Sequence, residues 1–181
     1  IHRTMKLDLL KDVVAKIQAG GNIHEHLDLI AGLPYEDYDT FAKSFNEIYA
    51  VKPNQLQLGF LKVLKGSYMY AHAAEYGMIY HDKPQYEVME TKWLSFSDIL
   101  RIKQVEEMLE VYYNSGQFSH TVPVLVNEFG TPFEMFNTRK EELEHLKKIK
   151  KLSDAIIFVM VAVWLLELYA MLHAPSMLQA F

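Results

Sequence analysis

Apolar residues recur every three or four positions at Leu7, Leu10, Val13, Val14 and Ile17, with Lys6, Asp8, Lys11, Asp12 and Lys16 on the other side. That spacing predicts an amphipathic helix. Gly20-Gly21 closes it, because glycine enters the left-handed cap conformation at little cost. The period then changes. His26-Leu27-Asp28-Leu29-Ile30-Ala31-Gly32 is a short, mostly apolar run stopped by Gly32 and Pro34, too short for a helix and predicted to be a buried strand. Tyr35-Glu36-Asp37-Tyr38-Asp39 sets acidic residues where the positive end of a helix dipole favours them, opening a helix carried by Phe41, Phe45 and Ile48. Gln55 to Leu64 begins with period-two alternation and is predicted as a second strand, closed by Lys65-Gly66. Helix, strand, helix, strand with short joints predicts the βα repeat of a parallel sheet with helices packed outside.

After Gly66 the signals weaken. Ser67 to Glu75 is predicted as a short helix, Gly77 to Tyr80 as an extended piece, and Pro84 to Lys92 as a loop or edge strand. Ser95-Phe96-Ser97-Asp98 caps a long helix whose apolar stripe is Ile99, Ile102, Val105, Met108, Leu109 and Tyr112, and Asn114-Ser115-Gly116 stops it. A further helix is predicted over Val122–Phe136. Arg139 to Leu152 is charged and helical in pattern, and Ala155 to Leu172 is an 18-residue run broken only by Glu167. A helix rises about 1.5 Å per residue, so that run is at the lower limit for a bilayer core.

Composition narrows the function classes. Half of the 181 residues are hydrophobic and 23% are charged, which excludes a disordered chain. A net charge of −5 leaves no overall basic face for nucleic acid. With no cysteine, the chain has no disulfide, thiolate ligand or thiol nucleophile. No charged-then-apolar leader follows Ile1, so a cytoplasmic location is expected, and a start already in helical pattern reads as an excerpt of a longer chain.

The stretch His26-Leu27-Asp28-Leu29-Ile30-Ala31-Gly32-Leu33-Pro34-Tyr35-Glu36-Asp37 resembles the fifth barrel strand of radical S-adenosylmethionine enzymes, and the longer stretch from Asn22-Ile23-His24 through Asp37 is similar to a particular subgroup of them. Leu56-Gln57-Leu58-Gly59-Phe60-Leu61-Lys62-Val63-Leu64-Lys65-Gly66 and Glu106-Glu107-Met108-Leu109-Glu110-Val111-Tyr112-Tyr113-Asn114-Ser115-Gly116 are similar to the same subgroup. In it, a cobalamin-binding domain precedes the radical domain and an uncharacterised carboxyl-terminal domain follows. The resemblance covers residues 1–137. It implies an α/β chain: the carboxyl-terminal part of a partial TIM-like (β/α) barrel over 1–66, then a mostly helical extension over 67–137. Residues 138–181 do not resemble the family and are expected to be an atypical charged, then apolar, helical tail. The family's CxxxCxxC motif for a [4Fe-4S] cluster has no counterpart here, so the cluster and cobalamin are expected in a preceding part. The intact enzyme would cleave S-adenosylmethionine reductively to a 5′-deoxyadenosyl radical acting on an unknown substrate; this chain alone would be inactive.

Ligands in such folds meet the carboxyl ends of the strands, where Ile30, Gly32, Leu33 and Pro34 fall. The resemblance places the backbone of Ile30–Gly32 along the adenine of S-adenosylmethionine; the plainer reading of Gly32-Leu33-Pro34 is a strand-to-helix turn. Asp28, a carboxylate in an apolar strand, would contact substrate or S-adenosylmethionine, or form a structural ion pair. Lys62 would point into the barrel toward a carboxylate, or snorkel outward. His24 and His26 have the spacing of two ligands on one strand face, but lack a third, so no metal site is expected. Glu106, Glu107 and Glu110 read as a solvated helix face, and Trp93, Tyr112 and Tyr113 as core or interface aromatics. No catalytic residue is assigned.

Two other readings stay open. One is a non-catalytic half-barrel that binds a ligand or partner; its raw strand edges count against it. The other is a membrane-attached protein using Ala155–Leu172, disfavoured by Glu167. The tail itself reads as a frame error past Thr138, a packed or oligomer-forming helix, or that span.

Overall fold

A computed structural model describes residues 6–138. The charged and apolar tail, with the candidate span Ala155–Leu172, lies outside them. Helix α1 spans Leu7–Gly20, and the N–H of Gly21, at φ 66°, donates to Gln18 O at 3.0 Å. Strand β1 is His26–Ala31 and β2 is Gln55–Phe60, joined through helix α2, Tyr38–Tyr49. The two strands pair in parallel, with His26 opposite Gln55 and Ala31 opposite Phe60.

Helix α2 begins later than its acidic run predicts. Tyr35 takes φ 67°, outside the helical region, so Asp37 becomes the cap and accepts the Thr40 N–H at 2.8 Å. Phe41, Phe45 and Ile48 are its buried stripe.

The two sheet faces differ sharply. Leu56, Leu58 and Phe60 are buried on the face where α2 packs on β1 and helix α4 (Phe96–Leu109) packs on β2. Asp28 lies opposite Gln57 on the other face, and both are exposed, as are His26 and Ile30. The strand is therefore not buried on both sides, which corrects the expectation of a buried Asp28. With one face bare, the carboxylate keeps its water and needs no partner.

Strand β2 also ends sooner than predicted, at Phe60 rather than Leu64. From Leu61 the chain leaves β1 and turns to an antiparallel neighbour: Val88 N–H donates to Leu61 O at 2.9 Å and Val63 N–H to Tyr86 O at 2.8 Å. Between them lies an isolated bridge from Lys62 to Glu87. Helix α3 is Tyr68–Ala71, and strands β3 (Ile79–Tyr80) and β4 (Val88–Glu90) form a small antiparallel sheet.

Helix α4 carries the predicted cap as a reciprocal box: Ser95 Oγ accepts the Asp98 N–H, and Asp98 Oδ2 accepts the Ser95 N–H. A π-helical turn, Glu110–Asn114, follows before Gly116 at φ 68°. The stretch predicted as one helix over Val122–Phe136 is two, α5 at Thr121–Phe129 and α6 at Pro132–Asn137. Gly130 at φ 79° and Pro132 at the first turn of α6 break it. Among the described residues the architecture is mixed α/β with two small sheets and no closed barrel.

Candidate functional site

Parallel pairing brings the two strand ends together. Leu61 N–H donates to Ala31 O at 2.9 Å, so the Gly32 turn sits beside the end of β2. Of the predicted residues, Ile30 is 46% exposed on the bare sheet face, and Leu33 and Pro34 are half-buried in the turn. Asp28 is one pleat back on the same face as Ile30. Gly32 is buried at φ 90°, and a Cβ built there would overlap the Val88 side chain. The glycine thus has a packing reason on that side, the close approach of β4. Lys62 is exposed beyond the end of β2.

The turn continues into an aromatic chain not anticipated from the sequence. Tyr35, 73% exposed at positive φ, lies 4.6 Å from Trp93 and 6.1 Å from Tyr76 between ring centroids. The hydroxyls of Tyr76 and Tyr68 share a 3.3 Å hydrogen bond. His72 stacks on Tyr68 at 3.9 Å and is held by a 2.9 Å bond from its Nδ1 to Tyr68 O. That bond with Tyr68, with burial adding to it, pushes the Tyr76 phenol up to about 12. Glu36, next in the turn, is raised by burial, a shift that its hydrogen bond with Ser44 opposes.

A family model described as a protein of unknown function (DUF4080) matches residues 74–155. It takes in Tyr76, Trp93 and the long helix, and runs past Thr138, where the resemblance was expected to stop. No curated protein matches the chain.

The opposite end of the strands is tied down rather than open. Gln18 Nε2 reaches Glu25 Oε2 at 2.9 Å and the carbonyls of Val51 and Lys52 at 3.2 Å. Glu25 is 7% exposed and its other carboxylate oxygen has no partner. Nothing in the local pattern marks Glu25 as buried, because the groups that hold it come from elsewhere: Gln18 at the end of α1, and Asn54, whose Oδ1 accepts the Glu25 N–H at 2.9 Å. Nearby, Tyr113 donates to Pro53 O, and burial, together with Tyr49, pushes its phenol up to about 12. A cavity of about 620 Å³ opens there between Tyr49, Pro53, Tyr113 and Val122. A second, of about 420 Å³, lies where Arg101 sits 4.0 Å above the Tyr38 ring. None of the six residues predicted from sequence lines either cavity.

Metal chemistry finds no cage. His24 and His26 touch edge to face at 4.9 Å, and among the described residues no three His, Cys, Asp or Glu side chains gather as a metal site. A chain without cysteine offers no thiolate for an iron–sulfur cluster, so no step is assigned to its residues through one. Among the described residues no helix is long and apolar enough to cross a membrane.

Proposed function

We propose that this chain carries the last two βα units of a radical S-adenosylmethionine barrel, with the cluster-binding and cobalamin-binding parts preceding it. The supporting observation is the asymmetry of the β1–β2 pair. Helices cover one face, while the other carries Asp28 and Ile30 and ends at the Gly32 turn beside Leu61. In a β/α barrel the helix-covered face is the outside and the bare face is the lumen, where side chains meet ligand. On this reading Ile30 covers one side of the adenine of S-adenosylmethionine, and the Ala31–Leu33 backbone runs along its edge. Asp28 offers a carboxylate deeper in the lumen, to substrate or to S-adenosylmethionine. Lys62, at the rim, is placed for a carboxylate entering from above. The reaction would be reductive cleavage of S-adenosylmethionine in the intact protein, with this chain supplying ligand contacts.

The test is the DNA upstream of the codon for Ile1. The reading expects an in-frame CxxxCxxC, and a product of the extended gene that forms 5′-deoxyadenosine from S-adenosylmethionine under reducing, oxygen-free conditions. An intact gene starting at Ile1, with no such motif before it, removes the catalytic reading.

A further inference from the structure

Tyr35 is placed against its own interest. A tyrosine at φ 67° carries a backbone strain that glycine would not, and tertiary packing normally compensates for it. Here the ring is 73% exposed, so little burial offsets the strain. What the conformation achieves is position: it lays the ring against Trp93 at 4.6 Å, tilted by 51°, at the end of the strands where Ile30 is also exposed. The Trp93 backbone N–H donates to Thr91 Oγ1 at 3.2 Å, and its ring lies 6.2 Å from that of Tyr76. The Tyr35 ring is thus left mostly to solvent, with half-buried Trp93 beside it.

We infer that Tyr35 and Trp93 form a stacking platform for a planar aromatic ring carried by the substrate of this site. Aromatic faces attract other π systems in offset or tilted arrangements, and a stack tolerates many ring substituents. Tyr76, whose hydroxyl is bonded to that of Tyr68, lies beside Trp93 and extends the aromatic surface. The inference rests on the proposal that ligand meets this end of the strands, but not on the identity of the cofactor there.

The test uses the full 181-residue chain and a matched pair of probes: 2-naphthoate, and its saturated-ring counterpart decahydro-2-naphthoate. They share charge and approximate size and differ in planarity and π character. Ligand-observed NMR is expected to show saturable binding of 2-naphthoate with upfield ring-current shifts, and binding of the saturated probe at least about tenfold weaker. Tyr35→Gly, which removes the ring and relieves the backbone, is expected to weaken 2-naphthoate about tenfold while leaving the melting temperature unchanged or higher. Tyr35→Phe is expected to bind as the parent does, since the stack needs the ring and not its hydroxyl. Equal binding of the two probes overturns the inference. So does unchanged binding by Tyr35→Gly, or no saturable binding of 2-naphthoate at millimolar concentration. A large fall in melting temperature in Tyr35→Gly would instead give the ring a structural role. S-adenosylhomocysteine, titrated separately into the parent and the Tyr35→Gly variant, reports on the adenine reading: its loss in both, with 2-naphthoate retained by the parent, sinks that reading and leaves the platform standing.

Discussion

The side chain of Asn114 stands in for a strand beside Leu56. Its Nδ2 donates to Leu56 O at 2.9 Å and its Oδ1 accepts the Leu56 N–H at 3.0 Å. The π-helical turn is what allows it: the wider turn keeps Tyr112 buried while carrying Asn114 on to the strand. An amide pairing with both backbone groups blocks that part of β2 against pairing with another chain, so this edge is not raw.

Replacing Asn114 by leucine leaves both Leu56 groups without their partners in a half-buried place. The expected cost is about 2–3 kcal/mol of unfolding free energy by urea denaturation. Asn114→Asp, which keeps the acceptor and loses the donor, should fall between. A leucine variant within about 0.5 kcal/mol of the parent would mean that water already satisfies that edge.

Gly32 and Val88 compete for one volume. Gly32→Ala adds a methyl where Val88 Cγ1 sits, on a backbone at φ 90° that a side chain tolerates poorly. A destabilisation of about 2–4 kcal/mol is expected, from overpacking together with backbone strain. Val88→Ala should relieve the overpacking but not the strain, so the double variant should recover part of the loss relative to the sum of the singles. Strict additivity in that cycle would show that the contact is not what limits residue 32.

Much of this was legible in the sequence, and the failures share a cause. The Ser95–Asp98 box, the stop at Gly21 and the parallel β1–β2 pair rest on local signals: a cap residue, a glycine, a change of period. The end of β2 was not legible, because Leu61 and Val63 stay buried and Lys62 exposed while the partner strand changes. Period two says that a chain is extended and not what it pairs with. The same limit hid the exposed side of β1. Asp28 among Leu27, Leu29 and Ile30 looks buried on both sides until the sheet is seen to have helices on one face. The Tyr35–Trp93 stack joins residues 58 apart in sequence, and no periodicity marks a contact of that kind.

Tyr113 makes stability at alkaline pH sensitive to one phenol. Its folded pKa of about 12 lies above the ordinary value of 10, so the folded chain holds the proton more tightly. The associated stability is fully present below pH 10 and is lost as pH rises toward 12. Tyr113→Phe forfeits the bond to Pro53 O, at about 1 kcal/mol near neutrality. The gap between variant and parent should therefore narrow between pH 10 and 12, measured by urea denaturation at each pH. A gap that stays constant would mean that the phenol ionises freely in the folded chain.

Asp28 separates stability from function most cleanly. It is exposed on the bare face, and among the described residues no ion pair or hydrogen bond fixes it, so Asp28→Asn should change the unfolding free energy of this chain by no more than about 0.5 kcal/mol. On the proposed reading, Asp28 meets a ligand in the longer protein, and loss of a charge-assisted hydrogen bond to substrate or S-adenosylmethionine should lower kcat/KM for 5′-deoxyadenosine formation by about 1.5–3 kcal/mol, roughly ten- to a hundredfold. A stable variant with unchanged kinetics would take Asp28 out of the lumen contacts. A variant that unfolds would mean instead that the bare face is covered by more of the protein, and that Asp28 holds that cover in place.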